Sequence, residues 1–298
     1  MIERKLNFNY NRHFIESSFF NNMRNLINEE RLEYLENASK ILPIPEMYGS
    51  FFNDDHYFKT LNLLINSTDE VRHIYHVISK MILPNLTSYN SFLDVGCGDG
   101  KFTRFIGKNF DKITAVDVEQ SALNNLQPYH FSSNKKVTKI LGSIADVNLP
   151  TTEQYDFILL AHIIYYIDQL QINDLINNLR KKLSKNGRIL IIIDEGLDRE
   201  KLVQHFGAKK KRLLEDVIIE NLLNKVNVTV ETHLIKETFK TKSINTMMHI
   251  AGICLNDAKA IAEENKLKEY LMYNHFKNDY YEINMFQKFI IIKNDSTY

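Results

Sequence analysis

Apolar residues recur at three- and four-residue steps through the first part of the chain. Ile15, Phe19, Met23, Leu26 and Ile27, followed by Leu32, Leu35, Ala38, Ile41 and Leu42, predict helix over 10–42, which Pro43 and Pro45 break. Two more helical patterns cover 56–66 and 69–82, the second followed by Pro84. The pattern then changes. SFLDVG (91–96), KITAVDV (112–118), YDFILLAHI (155–163) and GRILIIIDE (187–195) are apolar on both faces, as buried parallel strands are. Helical patterns at 100–108, 119–126 and 170–184 separate them, and this alternation predicts an α/β, doubly wound, mostly parallel sheet. Beyond Gly196 the chain reads as a basic helix (199–213), a helix (214–224), a β-branched run (226–235), a helix (256–272) and a terminal strand (288–294). An antiparallel edge hairpin accounts for that ending. Residues 1–55 form a helical N-terminal cap in this reading, and 56–298 form the main domain, with a substrate-side elaboration around 197–285.

Composition narrows the function. The 298 residues carry 37 basic and 37 acidic side chains. This balance disfavours a protein whose main task is to grip nucleic acid, since phosphate binding draws on a basic excess. The lysine run AKKKR (208–212) reads as a solvated helix face. Two cysteines, Cys97 and Cys254, make no disulfide framework. The N-terminus lacks the apolar core of a signal peptide, and the longest apolar run, FILLAHIIYYI, is too short to span a bilayer. A cytoplasmic protein without membrane attachment is expected, and His56, His73 and His76 share no metal-ligand spacing with nearby acids, so no metal is assigned.

Asp94-Val95-Gly96-Cys97-Gly98-Asp99-Gly100 follows a strand pattern and opens a helix pattern. Glycines at such a turn allow a tight bend and close approach of a ligand to the main chain. A dinucleotide site needs G-x-G-x-x-G, but here Lys101 stands at the third glycine position. An acid ahead of G-x-G-x-G suits a ligand with a cationic amino-acid end and no phosphate, which describes S-adenosylmethionine. Asp117, at the end of the second strand pattern, is placed to accept both ribose hydroxyls in a bidentate hydrogen bond. Ser143 and Asp146 in LGSIAD fall where an adenine edge would lie.

Through LDVGCGDG, AVDVE, GSIAD and YDFILLAHIIYYI, in that order, residues 85–195 resemble the class I S-adenosylmethionine-dependent methyltransferases. The resemblance implies a Rossmann-like methyltransferase fold with a seven-stranded sheet. It also implies S-adenosyl-L-methionine as cofactor, held by Asp94, Gly96, Gly98, Asp117, Val118, Ser143, Ile144 and Ala161. The flanks, from YFKTLNLLINSTDE to INMFQKFIIIKN, are similar to the histamine N-methyltransferase subgroup. On that likeness Lys59 stands where the subgroup has a substrate-binding glutamate, His162 where it has a glutamine, and Asn284 near its C-terminal asparagine.

The expected function is methyl transfer to a small molecule, an aromatic acid or a hydroxyl or amine metabolite. His162, at the C-terminal end of a strand, is the candidate catalytic residue, acting as base or orienting the substrate. Lys59, Tyr57, Tyr166 and Asn284 are the candidate substrate contacts. Lys59 and His162 together predict a pocket of positive potential and an acidic acceptor. An RNA or protein methyltransferase, or a catalytically silent cofactor- or partner-binding module, are the alternatives.

Overall fold

The computed structural model describes residues 12–14, 66–147, 149–150, 153–206, 228–255 and 264–294. Among the described residues nine strands form one sheet: β1 (Arg12–Phe14), β2 (Ser91–Val95), β3 (Lys112–Asp117), β4 (Lys136–Leu141), β5 (Tyr155–Ala161), β6 (Leu183–Glu195), β7 (Val228–Thr241), β8 (Phe276–Lys277) and β9 (Tyr280–Asn294). Their order is β1-β7-β9-β6-β5-β2-β3-β4, with β8 paired to β9. The run from β4 to β7 supplies the seven strands expected from sequence, and β1 and β8 are additions at its margins. Pairing is parallel from β4 through β6, whereas β9 runs antiparallel between β6 and β7. The late hairpin therefore inserts its second strand into the sheet. Between β8 and β9 the chain reverses at Asn278 and Asp279, both in the left-handed region, where short polar side chains are tolerated.

The helices are α1 (Glu70–Val77), α2 (Lys101–Gly107), α3 (Gln120–Asn124), α4 (Gln169–Lys181), α5 (Leu197–His205), α6 (Ile244–Leu255) and α7 (Glu264–Asn274). The helix predicted over 69–82 is α1, which continues as a π-helical turn (Ile78–Ile82) and ends in a tight turn at Leu83–Asn85 containing Pro84.

The apolar strands are buried on both faces, as their sequence requires. Ile74, Val77 and Ile78 pack on one face against Phe92, Phe157, Leu159, Leu190 and Ile192. On the other face α4 packs Ile172, Ile176 and Leu179 against Leu93, Ile158, Leu160 and Ile191. A separate cluster joins α5, α6 and α7 to the far ends of β7 and β9 through Leu202, Met247, Leu267, Phe239 and Ile283.

One expectation is corrected, and two elements had no prediction. Arg12–Phe14, assigned to a helix by periodicity, form a strand parallel to β7 at residues 232–234. The strand β4 went unpredicted because its sequence, KVTKIL, is polar and it lies at the sheet edge with mostly half-exposed or exposed residues. The apolar segment 244–255, left unassigned, is α6, whose residues Met247, Met248, Ile250 and Ala251 are fully buried. The rest of the predicted N-terminal cap, and the helices over 56–66 and 214–224 apart from Asn66, lie outside the described residues.

Candidate active site

The glycine loop joins β2 to α2. Gly96, Gly98 and Gly100 all have positive φ (71°, 52° and 74°), a backbone that only glycine adopts without strain. Hydrogen bonds tie the loop to β3. Gly96 N–H donates to the Val116 carbonyl at 2.8 Å. Gly98 N–H donates to Asp117 Oδ2, also at 2.8 Å. The other Asp117 oxygen accepts from Glu119 N–H at 3.0 Å. A side chain at Gly96 would strike Ile163, and one at Gly100 would strike Leu126, whereas a Cβ at Gly98 would meet nothing within 4 Å. Gly98 thus faces open space beside the Asp117 carboxylate, a cradle of the kind a ligand fills.

Asp94 lies beneath this loop and is buried, its Oδ2 accepting from Thr103 Oγ1 at 2.6 Å. Burial raises its carboxyl to about 7, the Thr103 bond opposes this, and Asp117 and Asp99 add to it. Asp94 therefore ties β2 to α2 across the loop, and its charge develops as pH rises through about 7. Burial also raises the Cys97 thiol, which Asp94 and Asp117 reinforce, so Cys97 packs as a neutral side chain.

The turn after β4 lies next to this carboxylate: Gly142 N–H donates to the Asp117 carbonyl at 2.8 Å. Ser143 Oγ accepts from Ala145 N–H at 3.3 Å, and Ile144 is buried against the core. Val118, just past Asp117, is 61% exposed. Ala161 closes β5 half-buried. The eight residues expected to hold the cofactor thus lie at the end of β2 and on the loop after it, at the ends of β3 and β5, and on the turn after β4, the carboxyl ends of parallel strands.

His162 follows immediately, with φ of 56°, and its N–H donates to the Ile192 carbonyl of β6 at 3.0 Å. That turn aims its ring at two carboxylates. Nε2 lies 2.5 Å from Glu70 Oε1 of α1, and Nδ1 lies 3.6 Å from Asp194 Oδ2 of β6. Burial lowers the imidazole pKa, but Glu70 and Asp194 outweigh it and raise His162 to about 9. Burial raises Asp194 to about 6, against the pull of His162 and with the support of Glu70. Nearby, buried Glu237 of β7 accepts from Thr68 Oγ1 at 2.8 Å and contacts His73 Nδ1 of α1. Burial raises the Glu237 carboxyl despite both contacts. The two flanking acids thus favour the cationic form of His162, the candidate base or orienting residue.

The remaining expected contacts fare differently. Lys59 and Tyr57 lie outside the described residues, and the charged groups described around His162 are mainly carboxylates. Tyr166 is 54% exposed at the turn after β5. Asn284 is committed elsewhere: its Nδ2 donates to Asp198 Oδ2 at 3.1 Å and its Oδ1 accepts from Thr238 Oγ1 at 2.9 Å, tying α5 to the sheet. Glu70 and Asp194 were missed. Asp194 had a signal, an acid at the end of the apolar run GRILIII, whereas Glu70 had none.

The doubly wound, mostly parallel sheet with a G-x-G-x-G turn after β2 is a Rossmann-like methyltransferase fold, and the matches that follow support an S-adenosylmethionine-dependent methyltransferase. Gly98 and Asp117 form a cradle suited to that cofactor. Residues 93–189 match the family described as "Methyltransferase domain". The chain is similar to the ubiquinone biosynthesis O-methyltransferase of Rickettsia canadensis, 24% identical over 218 residues that cover 70% of this chain and 85% of the relative. Nodulation protein S of Bradyrhizobium diazoefficiens is 29% identical over 119 residues, 39% of this chain and 53% of the relative. A methyltransferase-like protein of Bacillus halodurans C-125 shares the fold at a TM-score of 0.53 and 13% identity, covering 72% of this chain and 97% of its own. These matches do not support the narrower likeness to the histamine N-methyltransferase subgroup. No described helix is long and apolar enough to cross a membrane.

Proposed function

We propose that the chain methylates a hydroxyl or amine of a small molecule, with the acceptor seated against His162, Asp194 and Glu70. The observation that carries this reading is the contact between the two halves of the site. Ile163, next to His162, packs so closely on Gly96 that an added Cβ would lie 2.8 Å from its Cγ2. The acid–histidine cluster therefore borders the glycine loop, within a residue of the space beside it.

Bound S-adenosylmethionine supplies an electrophilic methyl group, so the protein has to orient the acceptor, exclude water and take up a proton. Asp117 holds the ribose hydroxyls, Gly96 and Gly98 let the cofactor lie against the main chain, and the charge of Asp94 favours its cationic amino-acid end. Ser143 and Ile144 bound the adenine region. His162 orients the acceptor through its ring N–H, and an Asp194 carboxylate oxygen, ionised above about pH 6, receives the proton. The acid-rich surroundings favour a hydroxyl or amine over a free carboxylate, which they would repel. The name of the ubiquinone-pathway relative supports an oxygen acceptor.

The test is label transfer from methyl-labelled S-adenosylmethionine to separate pools of phenols, aliphatic alcohols, amines and carboxylic acids, with RNA and protein as further arms. Label in the hydroxyl or amine pools, with kcat reduced about a hundredfold in Asp194→Asn, supports the reading. Label only in RNA, protein or carboxylic acids overturns it.

A further inference from the structure

Glu70, His162 and Asp194 come from α1, the turn after β5 and the end of β6, and each offers one ligand atom such that all three lie within 4.8 Å of one another. We propose that this cluster is a binding site for a divalent metal ion of the Mn²⁺ type.

Two unpartnered polar groups point to a missing cation. Glu70 is 5% exposed, and while its Oε1 faces His162, its Oε2 is buried with no hydrogen-bond partner among the described residues. Gln287 of β9 is fully buried, and neither its amide oxygen nor its amide nitrogen has a partner among the described residues. Gln287 pairs in register with Asp194, so the two side chains rise side by side on one face of the sheet. A buried carboxylate oxygen and a buried amide left without partners each cost about 1–3 kcal/mol or more. A cation in the cluster would satisfy the Glu70 oxygen, and the Gln287 amide oxygen, on the strand position paired with Asp194, is a candidate to join its shell.

The donor set specifies the ion. Two carboxylates and an amide oxygen suit hard cations, while the His162 imidazole, whose proton the ion displaces to solvent on binding, favours later divalent metals, and Mn²⁺ accepts both. The partial exposure of His162 and Asp194, 26% and 23% of their side chains, leaves room for a ligand from solvent. The ion would sit one residue from Ile163 and the glycine loop, where an acceptor oxygen could complete its shell. That last role rests on the proposed function, whereas ion binding does not.

The test uses the full chain, stripped of metal and without cofactor or acceptor, titrated with Mn²⁺ and followed by loss of the free-ion electron paramagnetic resonance signal. One equivalent should bind. Glu70→Gln and Asp194→Asn, near-isosteric changes, should each weaken binding at least about tenfold, Gln287→Leu should weaken it, and Asp174→Asn, on the exposed side of α4, should leave it unchanged. Circular dichroism checks that each variant is folded, and an unfolded variant is replaced by Glu70→Asp or Asp194→Ser. Absence of binding to the wild-type chain at millimolar Mn²⁺, or binding that survives both carboxylate substitutions, overturns the site. Calorimetry with S-adenosylhomocysteine on the metal-free chain reads the methyltransferase assignment separately.

Discussion

Gly98 and Gly100 occupy one loop and share a left-handed backbone, but their surroundings predict opposite consequences for substitution. At φ of 52°, alanine at position 98 incurs about 1–2 kcal/mol of backbone strain. No steric cost is added, because its Cβ meets nothing within 4 Å. The N–H bond to Asp117 survives the change. At position 100 the same strain applies, and the new Cβ would also lie 2.3 Å from Leu126 Cδ2. Leu126 is fully buried and cannot swing away, so overpacking adds about 1–3 kcal/mol. Gly98→Ala should therefore lose about 1–2 kcal/mol of stability and Gly100→Ala about 2–5 kcal/mol. Binding should be ordered the other way for whatever protein remains folded. A methyl at position 98 projects into the cofactor cradle and should weaken S-adenosylhomocysteine at least about tenfold, or 1.4 kcal/mol. Urea unfolding gives the first quantity and titration calorimetry on the folded variants gives the second. Wild-type affinity in Gly98→Ala, or equal stability losses in the two variants, would refute the argument that the open side of Gly98 is the ligand side.

Asp117→Ala removes the acceptor for Gly98 N–H and the proposed ribose contact together, and should weaken S-adenosylhomocysteine by about 1.5–3 kcal/mol by calorimetry. The Asp94 carboxyl titrates near 7 in the folded chain against 3.8 when unperturbed. Its contribution to the stability of the unliganded protein is thus complete below pH 3.8 and is lost as pH rises through 7. Asp94→Asn should therefore stabilise the unliganded protein at about pH 8, read as a rise in Tm, while weakening the cofactor product. Affinity of the wild type for S-adenosylmethionine, whose ammonium and sulfonium are both cationic, should strengthen from about pH 6 to about pH 8 as Asp94 ionises, and a flat profile would exclude Asp94 as the source of charge. Glu237→Ala strips His73 and Thr68 of a buried partner and should lower stability by about 3–5 kcal/mol in urea; a loss under 1 kcal/mol would show that the pair contributes little.

Local pattern was enough for the four inner parallel strands, β2, β3, β5 and β6. The runs at 91–96, 112–118, 155–163 and 187–195 are apolar on both faces because helices cover both faces of the strands they form, and that demand is written residue by residue. The glycine loop was legible for a similar reason: positive φ at Gly96, Gly98 and Gly100 is a local requirement that only one residue type meets easily. Edge strand β4 escaped because its exposed face needs no hydrophobic residues. The insertion of β9 between β6 and β7, and the use of the Asn284 amide to hold α5, depend on pairing between segments tens of residues apart, which no periodicity records. The acid–histidine cluster is the extreme case. His162 was visible as a polar residue ending an apolar strand, but its charge state was not, because the carboxylates that set it come from residues 70 and 194. A side chain's chemistry is fixed by its sequence identity only until it is buried; after that its neighbours decide it, and folding chooses the neighbours.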